Sequence, residues 1–303
     1  MKNIGIDIGG TFIKSAIVDK KGKVIISAKT PTPKNGKDIP RAVISSCREL
    51  VSKANLNWDE INSVGIGTTG VCDSKRGIVI SSANIENYDD THICEEVEAT
   101  LGKSAFLDND ANCAALGEYI VSEDKPESFI FITLGTGVGG GIILSGKILR
   151  GINCGGGEIG HVIIEKDGEV CNCGRQGCWE RYASVSALVR QTKNAGITGE
   201  VDGRTAFSLA EKGDERAVKV LDKWLEYVAE GICDMVNIFQ PGLIVIGGGV
   251  SREGDKILTP VKKFVSENSM TGKISSLPQT EIQVSKLFND AGVVGASFLY
   301  TQK

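Results

Sequence analysis

The chain opens with short apolar runs, Ile4–Ile8, Phe12–Asp19 and Lys23–Thr30, divided by Gly9-Gly10-Thr11 and by Lys21-Gly22. Branched apolar residues bounded by glycine turns predict three strands. From about Asp38 to Asn55 the spacing changes: Ile39, Val43, Ile44, Cys47, Leu50 and Val51 recur at threes and fours, which predicts a helix. A strand at Ser63–Gly67 follows, then a turn-rich stretch to Asn87, an acidic helix over about Asp89–Thr100 and a strand at Ala105–Leu107. Asp108-Asn109-Asp110 supplies oxygens that can cap a helix over Asn112–Ile120. After Pro126 the opening pattern returns: Ile4–Val18 can be laid on Ile130–Leu144, apolar strand, glycine turn, apolar strand. Such a repeat implies two similar α/β domains. Helix is expected to dominate Ser184–Phe239, with a stripe of Val218, Leu221, Leu225, Val228, Ile232, Met235 and Phe239 that ends at Pro241-Gly242. A strand at Leu243–Gly247 then runs into Gly248-Gly249, and a last helix from about Asp290 is expected to pack on the first domain.

A length of 303 residues agrees with two domains. Apolar residues at 41% and charged residues at 24% are enough for real cores. No apolar run approaches the roughly 20 residues needed to cross a bilayer, and the first residues turn glycine-rich where a signal peptide would be apolar. The expectation is a soluble, cytoplasmic protein. Lys and Arg number 34 against 38 Asp and Glu, a net charge of −4, so no basic footprint marks a nucleic-acid or membrane binder. Small molecules are the expected partners. Glycine is in excess, 38 residues against seven prolines, which points to loops where backbone must approach something closely. Of nine cysteines, six are scattered singly, while Cys171, Cys173 and Cys178 crowd together. Without a secretory signal such a cluster reads as metal ligands before disulfides.

Three glycine turns each leave an apolar strand: Gly9-Gly10-Thr11, Gly135-Thr136-Gly137 and Gly247-Gly248-Gly249. Without a Cβ, such turns let several N–H groups converge on one anion, and a phosphate chain is the usual occupant. A single turn of this kind is as well explained by a tight hairpin; three favour phosphate. Gly135–Gly140 fits G-x-G-x-x-G, but the dinucleotide version opens a helix, whereas Gly141–Leu144 reads as strand. Gly141–Lys147 has P-loop spacing, yet Ile148 stands where Ser or Thr is required. Neither motif is accepted.

His161, Cys171, Cys173 and Cys178 make a complete Cys₃His set for tetrahedral zinc. Free cysteines normally sit singly in apolar runs, and these lie among Asn172, Gly174, Arg175 and Gly177. Four protein ligands leave no open position, so the zinc is expected to be structural. Asp110, where a strand gives way to a helix, has the chemistry to orient a hydroxyl for phosphoryl transfer, and fits equally well as a helix N-cap. Glu158 and Glu180 flank the ligand cluster, where solvated loop glutamates are the ordinary reading.

Asp7-Ile8-Gly9-Gly10-Thr11 with Lys14, Leu134–Gly140, and Ile246–Val250 resemble the phosphate 1, phosphate 2 and adenosine segments of the sugar kinase, heat-shock ATPase and actin superfamily. Gly157–His161, Cys171–Glu180 and Leu107–Ala115 resemble, within it, the ROK family (repressors, open reading frames and kinases). The likeness runs from Asp7 to Gly295. It implies an α/β, two-domain ribonuclease-H-like (actin-like ATPase) fold with a zinc-binding segment at 161–178. The implied small domain is 1–115, joined by a C-terminal helix 290–303; the large domain is 116–289, and the lobes close around a cleft. The resemblance further implies ATP-dependent phosphorylation of a hexose, glucose at its 6-hydroxyl, in carbohydrate metabolism. An N-acetylhexosamine kinase acting on N-acetylmannosamine, or a fructokinase, is the nearest alternative. A sugar-sensing ROK regulator is an alternative of another class; Asp7 is expected to lie too near the start for a preceding DNA-reading helix pair.

Residue by residue, the resemblance makes Asp110 the base and gives Asn84, Asn109, Asp110, Glu158, His161 and Glu180 contacts to the sugar, His161 also binding zinc. Asp7 would position Mg²⁺ through water. Gly9, Gly10, Thr11, Lys14, Gly135, Thr136, Gly137, Gly247, Gly248 and Gly249 would receive ATP. One departure stands out: Gly67-Thr68-Thr69-Gly70 lies where the family often has a proline before its glycine. A homodimer or homotetramer is the implied assembly.

Overall fold

The three expected strands at the start of the chain are β1 (Lys2–Ile8), β2 (Phe12–Val18) and β3 (Val24–Pro31), and they pair as an antiparallel meander. The computed structural model describes residues 1–82 and 84–302. Ala83 of the Ser82–Ile85 segment and Lys303 of the expected C-terminal helix lie outside the described residues. α1 (Ile39–Lys53) takes the predicted span, with Val43, Cys47, Leu50 and Val51 buried and Pro40 in its first turn, where a missing N–H costs nothing. β4 (Ile61–Thr68) runs parallel to β1 and puts Gly67 beside Asp7. The stretch read as turns holds a hairpin, β5 (Val71–Asp73) and β6 (Ile78–Ser81). α2 (Ile93–Leu101), β7 (Ser104–Asn109), parallel to β4, and α3 (Asp110–Val121) complete a sheet of order β3-β2-β1-β4-β7 with its helices. Ile4, Ile6, Ile8, Ile13 and Ile17 of the sheet share one core with the buried face of α1.

The next strands are β8 (Ser128–Leu134), β9 (Val138–Leu144) and the short β10 (Lys147–Ile148), which pairs back on β9. Helices α4 (Glu180–Ala183), α5 (Val185–Asn194), α6 (Thr205–Glu211) and α7 (Glu215–Phe239) follow, then β11 (Leu243–Gly247), α8 (Asp255–Asn268), β12 (Glu281–Val284) and α9 (Ala291–Ser297). The chain forms two units: Met1–Lys125 with Gly141–Gly157 and Asn289–Lys303, and Pro126–Gly140 with Glu158–Phe288. In the second unit β11 is parallel to both β8 and β12. α7 buries Leu221, Trp224, Val228, Ile232 and Met235, while Val218, which opens the predicted stripe, is 39% exposed at its edge. In the first unit every residue of α9 is buried. A Cβ on Gly5 would lie 1.9 Å from the Val293 carbonyl oxygen, and one on Gly65 1.7 Å from that of Ala296. The helix backbone therefore rests directly on the backbones of β1 and β4, an approach only glycine permits.

Candidate functional site

In the first unit, β1 delivers Asp7 to the rim of the first glycine turn, opposite Lys14 in the β1–β2 register. The turn closes through Gly9 N–H to Phe12 O at 3.0 Å, and Thr32 Oγ1 donates to Gly9 O at 2.7 Å. Gly10 and Thr11 are left exposed. Asn84 lies over this turn: a Cβ on Gly10 would be 3.7 Å from the Asn84 Cβ. Lys14 Nζ donates to Asn289 O at 2.8 Å and pairs with Asp290. The Asp7 carboxyl is pushed up to about 6, chiefly by burial and then by the negative charge of Asp110, with Lys14 pulling it back. A buried carboxylate beside a second acid is a site that gains from a cation.

Asn109, not Asp110, is the N-cap of α3: its Oδ1 accepts from Ala111 N at 2.9 Å and Asn112 N at 3.4 Å. Its Nδ2 donates to Gly70 O at 3.3 Å, tying the cap to the Gly67–Gly70 loop. Asp110 becomes the first helical residue, so the capping role that its position alone left open is taken by its neighbour. Two residues to which the sequence reading gave no role in the site complete the turn. The Asp108 carboxylate is buried beneath it, and Arg150 Nε donates to Asp108 Oδ2 at 2.7 Å. An acid at the end of an apolar strand was a signal for Asp108; Arg150 had none, since its partner is far away in the chain.

In the second unit, Gly135 N–H donates to Gly137 O at 3.0 Å and Val185 N–H, at the start of α5, to Gly135 O at 2.9 Å. The third glycine turn lies against the strand entering the second, for a Cβ on Gly248 would be 2.1 Å from Leu134 O. Glu180 also lies against the second turn: a Cβ on Gly137 would be 2.5 Å from Glu180 Oε2. Thr136 is exposed, and the space beside Gly135 and Gly249 is open.

The donor atoms of His161, Cys171, Cys173 and Cys178 all lie within 4.8 Å of one another. Cys171 Sγ is 3.6 Å from His161 Nδ1, and the Cys173 and Cys178 sulfurs are 3.5 Å apart. Zinc bonds of about 2.0–2.3 Å in a tetrahedron put donors roughly 3.3–3.8 Å apart, so the set fits that metal. Gly174, at φ +88°, turns the chain between the ligands, with its N–H bonded to Cys171 O at 3.0 Å. The imidazole presents Nδ1 to the sulfurs and Nε2 towards Glu158, whose Oε2 is 3.9 Å away. A metal on Nδ1 would fix the proton on Nε2, facing that carboxylate. Cys171 Sγ donates to Glu180 Oε1 at 3.1 Å. Bound to a metal as a thiolate it would have no proton to donate, and Glu180 would be an acceptor without that partner.

A family model described as the ROK family matches residues 3–303. A glucokinase of Streptomyces coelicolor is 36% identical over 313 aligned positions, spanning 98% of this chain and 96% of its own. An N-acetylmannosamine kinase of Yersinia pseudotuberculosis is 31% identical, spanning 98% of this chain and 97% of its own. The crystal structure of a ROK family glucokinase from Streptomyces griseus in complex with glucose and AMPPNP superposes with a TM-score of 0.82 at 33% identity, covering 100% of both chains.

Proposed function

The chain belongs to the ROK family, and we propose that it is an ATP-dependent glucose kinase acting at the sugar 6-hydroxyl. The observation that carries the reading is the turn Asn109-Asp110 at the head of α3, in a chain similar to glucokinases over its full length. Asp110 orients the hydroxyl and takes its proton as the oxygen bonds to the γ-phosphorus and the bond from that phosphorus to the leaving ADP breaks. Positioning and charge supply most of the rate in such a transfer, so a carboxylate need not be strongly basic. Asn109 and Asn84 hold neighbouring hydroxyls. Glu158 and Glu180 accept from vicinal hydroxyls and His161 Nε2–H donates, the acceptor and donor chemistry a hexose ring needs.

The glycine turns and Thr11 donate to the phosphates, with Lys14 as the nearby cation. Asp7 is the residue to hold Mg²⁺ through water, its carboxyl buried and close enough to Asp110 to feel that charge. Bound there, the ion would neutralise charge on the phosphates. Zinc on His161, Cys171, Cys173 and Cys178 would have a structural role, because four protein ligands leave no place for water. Homodimers or homotetramers in the cytoplasm fit the family, and among the described residues no helix is long and apolar enough to cross a membrane.

A coupled assay of ADP release with glucose, mannose, fructose, N-acetylglucosamine, N-acetylmannosamine and no sugar tests the reading. Glucose is expected to give the highest kcat/KM. Faster turnover of N-acetylmannosamine, or ADP release indifferent to sugar, overturns it.

A further inference from the structure

Asp108 closes β7 with its carboxylate out of solvent, its side chain 1% exposed. Three donors reach it: Asn109 N–H and Asn112 Nδ2 on Oδ1, both at 2.9 Å, and Arg150 Nε on Oδ2 at 2.7 Å. The first two belong to the turn that carries Asp110. The third comes from a different segment, since Arg150 opens the glycine-rich stretch Gly151–Gly157 that the chain follows to Glu158. That stretch folds back on Arg150: Gly156 N–H donates to Arg150 O at 2.9 Å, and a Cβ on Gly156 would come within 2.9 Å of the Arg150 carbonyl carbon. Arg150 thus grips the Asp110 turn with its side chain and the loop leading to Glu158 with its main chain.

We propose that Arg150 is a positioning residue for the transfer, acting through Asp108 to hold the turn bearing Asp110 against the loop that follows Arg150. The proposal rests on the reading of Asp110 as base. A buried ion pair is weak evidence for stability, because exchanging both partners for apolar residues is often neutral or stabilising. The same pair strictly defines geometry, through directional charge-assisted bonds to a carboxylate that has no solvent alternative. A shift of about 1 Å at a reacting group can cost on the order of a hundredfold in rate.

The test compares R150M, R150K, the apolar double variant D108L/R150M and D110N for kcat, glucose KM, ATP KM and Tm. R150M is expected to lower kcat by about tenfold to a hundredfold and to raise glucose KM, with ATP KM within about twofold of the parent. R150K should recover part of the loss. The double variant should keep Tm near the parent's without recovering kcat, which separates placement from stability; if R150M fails to fold, R150K and the double variant decide. A folded R150M or double variant that turns over within about threefold of the parent at unchanged glucose KM, while D110N is inactive, overturns the proposal. So does an ATP KM that rises as steeply as that for glucose. A fully active D110N overturns instead the reading beneath it.

Discussion

Asp110 is the residue on which the chemistry turns. Asp110→Asn keeps the shape and the helix start but cannot take a proton, so kcat should fall by roughly 10²–10⁴ in the coupled assay while Tm is unchanged. Asp7 carries the pH dependence. Its carboxyl, raised to about 6 from 3.8, is a group the fold prefers protonated, so its destabilisation is absent below about pH 4, grows between 4 and 6 and is complete above. Asp7→Asn should therefore raise Tm at pH 7, leave it unchanged at pH 4 and abolish turnover. In the parent, ionisation is needed to hold Mg²⁺, so the Mg²⁺ requirement should rise steeply as pH falls below about 6; a requirement flat from pH 8 to 5 would contradict the assignment. Residue chemistry was legible where neighbours in the sequence are neighbours in space, as with the zinc set around Cys171-Asn172-Cys173. It was not legible for Arg150, whose meaning depends on a carboxylate brought to it by folding.

Among the elements, those with long apolar runs or clear periodicity stand where the pattern puts them, β1, β4, α1 and β8 among them. The β5–β6 hairpin escaped because its strands are three and four residues long, too short to show alternation. α7 shows a different limit: spacing alone gives the pitch of a stripe, and Trp224 with Leu221 and Val228, more than Leu225, turns out to face the core. The segment carrying His161, Cys171, Cys173 and Cys178 has no sheet or long helix to support it, only isolated bridges such as Ile163 with Cys178 and Val170 with Gln176. Its order should depend on metal. A chelator with a colorimetric indicator should extract about one zinc per chain and lower Tm, and Cys173→Ser should weaken retention of the metal while leaving the β1–β2 turn intact. A protein purified without stoichiometric zinc but with full thermal stability would rule this out.

For the molecule as a whole, the repeated strand, turn and strand was visible because both copies need the same short-range feature, glycine after an apolar run. That Gly141–Gly157 joins the first unit was not visible, since it reaches that unit only through tertiary packing. If glucose binds the folded chain alone, glucose at a hundred times its Kd should stabilise it by about 2.7 kcal/mol, read as a rise in Tm of a few degrees that mannitol does not reproduce. The backbone-on-backbone seating of α9 over Gly5 and Gly65 also bears on the order of synthesis. The ribosome makes β1 and β4 well before the helix that covers them, so until that helix emerges one face of the first sheet is bare and open to capture by chaperones or by other nascent chains. A chain stopped after Phe288 should bind a dye such as anilinonaphthalene sulfonate and aggregate on release, whereas adding back residues 289–303 in trans as a peptide should quench both.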